Sequence, residues 1–267
     1  MRHDADFYAD PHIYDVLHRA GTAREAAQIM AMVRRHIDWP RGKSLAWLEP
    51  ACGSGRYLLE LARRNQRGIG FDLSPAMIAY ARKRTTQLKR EGRITLAPKW
   101  MVARMESFEV RDASVDVAFN PINTIRHLTS DRAMLSHLRA VRTCLKPGGV
   151  YLVGLEVSEP QLASPSEDVW DARAEGLTIK QLVSYIPPAA GSRDEQVISH
   201  LVISSGRGRA KVTRHVDSTY TLRTYTREQW GKLVDRAGFA IAGVYHADGT
   251  PTKHERVGYR YWALVRQ

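Results

Sequence analysis

From Ser44 to about Val157, short apolar runs alternate with stretches whose apolar residues recur at helical spacing. A chain patterned in this way has few folds open to it. Strands that alternate with helices lie parallel, because each crossover helix returns the chain to the same end of the sheet. The expected strands are Leu45–Glu49, Gly68–Asp72, Trp100–Ala103, Val115–Asn120 and Val150–Val157. Between them, Tyr57–Asn65 is expected to be helical, with Leu58, Leu61 and Ala62 on one face. Ser74-Pro75 opens the next helix with a polar cap and a proline whose missing N–H costs nothing in the first turn. Ser130 caps another helix, in which Leu135, Leu138, Val141 and Leu145 keep a 3.6-residue period. Lys146-Pro147-Gly148-Gly149 is expected to stop it and turn into the fifth strand.

The flanks read differently. The first forty residues look helical and carry Phe7, Tyr8 and Tyr14, and Pro40-Arg41-Gly42 separates them from the alternating stretch. After Pro160 two β-rich runs, Gln196–Ser205 and Lys211–Thr226, are joined by Gly206-Arg207-Gly208-Arg209 and read as an antiparallel hairpin. Thr226-Arg227-Glu228-Gln229 fits a capping box, and Gly238 marks the end of that helix. Two last strands, about Ile241–Tyr245 and Tyr259–Val265, would complete the sheet. The expected fold is therefore α/β: a doubly wound, seven-stranded, mostly parallel sheet with N-terminal helices and an antiparallel β insertion after the fifth strand. The expected divisions are a helical cap over 1–43, a core over 44–157, a β-rich lid or interface over 158–222, and a C-terminal helix and strands over 223–267.

A length of 267 residues, 43% of them hydrophobic, allows one sizeable α/β core with an appendage, or just reaches two small domains. The formal net charge of +12 raises nucleic acid, an anionic membrane or acidic small molecules as partners. The cations are scattered, however, with short clusters such as Arg82-Lys83-Arg84 and no basic tail, so a generally basic surface is the favoured reading over a nucleic-acid interface. Cys52 and Cys144 lie far apart and form no CxxC pair, which suggests neither a disulfide framework nor a zinc site. Cys144 falls on the apolar stripe of its helix. No apolar stretch reads as a signal peptide or a membrane span, so the cytoplasm is the expected location. Association into a homo-oligomer is left open.

The strongest chemical signal is Leu48-Glu49-Pro50-Ala51-Cys52-Gly53-Ser54-Gly55, at the end of the first strand. Small residues let backbone N–H groups approach a ligand and turn the chain tightly. Nicotinamide-binding folds use a glycine turn at the same place, but they want a third glycine where Arg56 or Leu58 stands. An acid before the turn, Glu49, suits an amino-acid ammonium and would repel a pyrophosphate. The second signal is Asp72, seventeen residues after Gly55 and at the tip of the second strand, where an acid can bind both hydroxyls of a ribose.

Taken in order and spacing, Glu49…Gly53-Ser54-Gly55, Phe71-Asp72-Leu73-Ser74, Val115-Asp116-Val117-Ala118-Phe119 and Leu145-Lys146-Pro147-Gly148-Gly149 resemble the successive motifs of the class I, Rossmann-like S-adenosylmethionine-dependent methyltransferases. The resemblance covers about residues 44–157 and is closest to the small-molecule branch, similar to glycine and amino-sugar N-methyltransferases. It implies S-adenosylmethionine as cofactor and a small molecule as methyl acceptor. It also implies that Ala51, Gly53 and Gly55 hold the methionine part with Glu49 nearby, that Asp72 takes the ribose, and that Leu73 backs the adenine. Met105 would meet the adenine edge, and Asn120, ending the fourth strand, would line the place where the methyl group leaves. Tyr8 and Tyr14 are either core aromatics or a lid over the cofactor. Arg104 stands where the family often has an acid, and a guanidinium cannot accept a hydrogen bond; Glu106 is the nearest substitute.

Asn120-Pro121-Ile122-Asn123 invites a second reading, because methylases of nucleic-acid or protein amino groups carry an Asn-Pro-Pro-aromatic tetrad there. Half the tetrad is missing here, and Asn123…His127-Leu128 fits the small-molecule branch better. His127 is a candidate general base, since an unperturbed imidazole titrates near neutrality, or else a structural histidine; Arg126 reads as solvated. No cluster of metal-ligating acids follows the fourth strand. A cofactor-binding protein with a closed acceptor cleft and no catalysis is the third reading.

Overall fold

The computed structural model describes residues 10–159, 163–206, 211–252 and 257–267. In chain order the strands are β1 (Ala46–Pro50), β2 (Arg67–Asp72), β3 (Lys99–Val102), β4 (Val115–Asn120), β5 (Leu145–Val157), β6 (Ser166–Ala174), β7 (Leu177–Ile186), β8 (Asp194–Ser205), β9 (Val212–Arg223), β10 (Phe239–Tyr245) and β11 (Gly258–Arg266). The helices are α1 (Pro11–His18), α2 (Thr22–Val33), α3 (Arg56–Arg63), α4 (Pro75–Arg90), α5 (Asp131–Cys144) and α6 (Arg227–Arg236).

Seven strands form one sheet in the order β10-β11-β5-β4-β1-β2-β3. The first five strands of the chain run parallel in it, and β11 is antiparallel to both its neighbours. From β1 the chain continues to β2 on one side and reaches β4 on the other. The carboxyl ends of β1 and β4 therefore flank the reversal of strand order, the place where open α/β sheets bind ligands.

Successive side chains point to opposite faces of the sheet, as the pleat requires, and both faces are buried. Trp47, Phe119, Leu152 and Ala263 pack with α2, α3 and α4 on one face. Leu48, Ala118, Tyr151 and Trp262 pack with α5 and α6 on the other. Each large side chain buried in this way contributes roughly 1.5–3 kcal/mol. The helix ends are capped where the sequence places caps. Ser74 Oγ accepts from Met77 N–H, Ser130 Oγ accepts from Ala133 N–H, and Thr226 and Gln229 form a reciprocal capping box.

Two expectations need correction. The fifth strand begins at Leu145, so Lys146–Gly149 lies inside it, and the register with β4 slips between Val115 and Val117. The β-rich insertion is a four-stranded sheet in the order β6-β7-β8-β9; the hairpin expected from the sequence is its β8–β9 half, with β9 ending at Arg223. The strands β6 and β7 are not expected from the sequence pattern. Phe7, Tyr8, Arg207 and Arg209 lie outside the described residues.

The inner face of this second sheet receives α1, whose Ile13, Val16 and Leu17 pack on Ile179, Leu201 and Ile203. Its other end is pinned to the core by ion pairs. Arg126 is buried rather than solvated, donating from Nε to the Arg223 carbonyl at 3.0 Å and from Nη2 to Glu195 at 2.6 Å. Arg193 and Arg223 both donate to the carboxylate of Asp131, in the first turn of α5.

Candidate cofactor and acceptor site

The turn after β1 is built from residues in an uncommon backbone conformation. Ala51, Gly53 and Gly55 have φ of 50, 54 and 73°, the left-handed region. A Cβ on Gly55 would lie 2.4 Å from the Trp100 ring, so glycine there is required on steric grounds as well. Non-glycine residues held in this region mark places where the surroundings over-determine the backbone, often at ligand sites. Ala51 is such a residue. Cys52 N–H donates to the Phe71 carbonyl at 2.9 Å, tying the turn to β2.

Asp72 completes the tie. Its Oδ2 accepts from Gly53 N–H at 2.8 Å and its Oδ1 from Ser74 N–H at 2.9 Å, which leaves lone pairs on both oxygens for a ligand. Burial raises its pKa, against the pull of those N–H donors. Leu73 and Val102, the register partner of Asp72 on β3, are 58% and 51% exposed and place two apolar side chains at this end of the sheet.

Glu49 is 3% exposed, and its Oε2 has no hydrogen-bond partner among the described residues. Burial raises its pKa well above the carboxylate range, opposed in part by the Arg56 guanidinium. A buried charge without a partner is costly, so this carboxyl asks for a cation or a donor from a ligand. Tyr14 lies over the same turn, with ring atoms 3.3 Å from where a Cβ on Gly53 would stand. Burial pushes its phenol up to about 12.

The helix that carries Tyr14 is fastened from beneath. Asp15, 2% exposed, accepts from Ser54 Oγ at 3.0 Å, from the Tyr80 hydroxyl at 3.1 Å and from Arg84. Thus one carboxylate joins α1, the glycine turn and α4.

On the other side of the switch point Asn120 is fully buried, and its amide is engaged. Nδ2 donates to the Pro50 carbonyl at 2.6 Å, and Oδ1 accepts from the Tyr151 hydroxyl at 2.5 Å. His137 continues the line, with Nε2 2.8 Å from that hydroxyl and Nδ1 donating to the Met105 carbonyl at 2.9 Å. Burial lowers the pKa of His137 to about 4. Since the neutral ring carries its proton on Nδ1, the single Tyr151 hydroxyl proton is shared between Asn120 Oδ1 and His137 Nε2. One buried chain of contacts therefore runs from Met105 to the end of β1. The amide that an amino-methylase would turn toward its acceptor is spent inside the protein, and Asn120 is correspondingly a structural residue in its side chain. Met105 sits in a turn closed by Arg104, whose Nε and Nη2 both donate to Glu106 Oε1, so the acid weighed as a substitute partner is held by the neighbouring guanidinium.

Beyond β4, Ile122 and Asn123 both take a φ of 57°. Ile122 is 46% exposed, its N–H donates to the Tyr259 hydroxyl at 3.0 Å, and Gly154 leaves the room that this hydroxyl fills. His127 comes next in a 3-10 turn over Thr124–His127 and stacks on Tyr220 of β9, centroids 5.5 Å apart. The ring is exposed to solvent on one side; desolvation of its packed side, with the Arg126 charge beside it, lowers its pKa to about 4. Of the residues expected from the sequence, Glu49, the glycine turn, Asp72 and Tyr14 are brought together. Asp15, Trp100, His137, Tyr151 and Tyr259 are not expected from it, because their parts depend on contacts between distant segments.

A parallel sheet with a glycine turn at its switch point, an orphan acid before the turn and an acid on the next strand defines a Rossmann-like, S-adenosylmethionine-dependent methyltransferase, and this chain is one. Residues 48–149 match the methyltransferase domain family. The dTDP-3-amino-3,6-dideoxy-alpha-D-glucopyranose N,N-dimethyltransferase of Streptomyces fradiae is 26% identical over 236 residues, covering 86% of this chain and 83% of that one. Among solved structures, DesVI of Streptomyces venezuelae superposes with a TM-score of 0.74 at 18% identity over 96% of this chain and 98% of its own. The sugar N-methyltransferase KedS8 of a Streptoalloteichus species does so with a TM-score of 0.69 at 21% identity, over 95% and 93%. Among the described residues no helix is long and apolar enough to cross a membrane.

Proposed function

We propose that the chain transfers methyl groups from S-adenosylmethionine to the amino nitrogen of a small, sugar-like acceptor. The observation that carries this reading is the cover over the switch point: α1 lies on the glycine turn from one side, and the four-stranded sheet, pinned through Arg126, Arg193 and Arg223, closes from the other. Such a cover supports a small acceptor over a duplex or a folded protein. The amino-sugar relatives support this acceptor class.

S-adenosylmethionine, when bound, supplies an electrophilic methyl group. The residues present fit it. Glu49 Oε2 would accept from the α-ammonium, the turn Ala51–Gly55 would approach the methionine part through its backbone, and Asp72 would accept from the ribose hydroxyls. Leu73 would take one face of the adenine with the Met105 backbone at its edge, and Tyr14 would cover the methionine end. The protein's task is positioning and exclusion of water, which can supply most of the barrier reduction in a direct displacement. His127, neutral and stacked on Tyr220, would shape the acceptor side. An amine that arrives unprotonated needs no strong base.

The test is incubation with S-adenosylmethionine and a panel of nucleotide-linked amino sugars, their hydroxy analogues and glycine, followed by mass spectrometry. Methylated amino sugar alone supports the reading. Methylation of the hydroxy sugars, or no cofactor binding by calorimetry at millimolar concentration, overturns it.

A further inference from the structure

Away from the cofactor turn, α1, the end of α3, α4 and the turn between β6 and β7 border a cleft of about 370 Å³. Five cations line it: Arg19, Arg63, Lys83, Arg84 and Arg93. Two carboxylates, Glu91 and Glu175, face them. The compensation is uneven. Arg19 is held by Glu175 at 2.6 Å, Arg63 by Glu60 at 2.6 Å, and Arg84 by Asp15. Arg93 reaches Glu91 only at 3.4 Å with both groups open to solvent, and Lys83 has no hydrogen-bond or ion-pair partner among the described residues. A second groove continues past Lys83 and Gln87 and adds Arg90. Through all sixteen residues α4 carries no acid.

A concave surface with cations in excess focuses positive potential far more than the same charges on a convex face. Guanidinium forks match phosphate oxygens two at a time, and a lysine adds a point charge. The volume lies within the range of small-ligand sites. No residue of this cleft belongs to the set Glu49–Gly55, Asp72–Leu73 or Met105.

We propose that this cleft binds a multiply charged phosphate anion of diphosphate type, with Lys83 and Arg93 as its principal contacts. The inference stands on the cleft alone and does not depend on the acceptor class given above. The anion can be free in solution or be the diphosphate of a nucleotide-linked acceptor; both present the same chemistry.

The test uses full-length protein saturated with S-adenosylhomocysteine, titrated calorimetrically with inorganic pyrophosphate at fixed ionic strength. Saturable binding of one pyrophosphate per chain is expected, weakened at least tenfold in Lys83→Ala/Arg93→Ala. Both side chains are exposed, so the fold is retained, and unchanged S-adenosylhomocysteine affinity in the variant verifies this. Lys232→Ala/Arg236→Ala on α6 removes the same charge elsewhere and should leave binding intact. Absence of saturable binding, or equal weakening in both double variants, overturns the proposal and leaves only a generally basic surface. If binding is lost in the cleft variant, the KM of the amino-sugar nucleotide separates the two sources. A raised KM assigns the site to the acceptor's own diphosphate, and an unchanged KM assigns it to a free anion.

Discussion

Glu49 holds a buried oxygen, Oε2, that no group among the described residues answers. Its folded-state pKa lies above the unfolded value of 4.5, so the folded chain holds more protons than the unfolded one between that value and the raised one. Stability from this group is full below pH 4.5 and is lost as pH rises through the raised pKa. Glu49→Gln should therefore melt no lower than the wild type at pH 7 without ligand, by calorimetry, while its affinity for S-adenosylmethionine falls at least tenfold. A variant that melts lower and binds equally well would remove Glu49 from the cofactor site. Asp72 behaves differently because it already holds two backbone N–H groups of the protein. Asp72→Ala should cost cofactor affinity by about 1.5–3 kcal/mol per lost charge-assisted hydrogen bond and also lower the melting temperature. An unchanged dissociation constant with a lowered melting temperature would make Asp72 a loop fastener alone. These acids are legible in the sequence because each lies within a few residues of the strand end that presents it. His137 is not, since its meaning comes from Met105 and Tyr151, 32 and 14 residues away along the chain.

At the level of elements, the four-stranded sheet depends on a few charged side chains for its seat on the core. Arg126 is almost wholly buried, and of its two carboxylate partners Glu195 is close at 2.6 Å while Glu156 stands at 3.6 Å, open to solvent. Glu195→Gln should cost about 3 kcal/mol, because it leaves a buried guanidinium underpaired, whereas Glu156→Gln should cost less than about 1 kcal/mol. Urea unfolding of the two variants checks this; equal stabilities would show that the clamp holds nothing. The same sheet explains why part of the fold is hidden in the sequence. β6 reads Ser-Glu-Asp-Val-Trp-Asp-Ala-Arg-Ala, an edge strand with most of its residues exposed, so no alternation announces it. Its partner β7 shows its buried set, Ile179, Gln181 and Val183, only once the position of β8 is known. β1, β2 and β4, buried on both faces, announce themselves as apolar runs. Lys146-Pro147-Gly148-Gly149 misleads for the opposite reason: two glycines and a proline suggest a stop, yet here the strand carries them across an irregular register.

Across the whole molecule, three imidazoles among the described residues are held neutral. His137 is buried, His18 half-buried and His127 exposed at the edge of its turn. All three sit near a pKa of about 4, lowered chiefly by desolvation of the ring. Between pH 6.5 and 4 the unfolded chain binds protons at these positions that the folded one refuses. Stability is then full above about pH 6.5 and drains away as pH falls toward about 4. Glu49 works in the opposite direction, but it is one strongly raised carboxyl against three histidines. The melting temperature should thus fall from about pH 7 to about pH 5, more steeply in Glu49→Gln; a flat profile would show that these rings are hydrated in solution. Asp15 has a consequence of another kind, in time rather than in energy. On the proposed binding mode the methionine end of the cofactor lies beneath Tyr14, and lifting α1 from it breaks the contacts of one carboxylate with Ser54, Tyr80 and Arg84 together. That carboxylate would then set a dwell time. In stopped-flow displacement, Asp15→Asn should release S-adenosylhomocysteine at least tenfold faster with little change in its association rate, and an unaltered release rate would mean that the ligand leaves by a door that α1 does not guard.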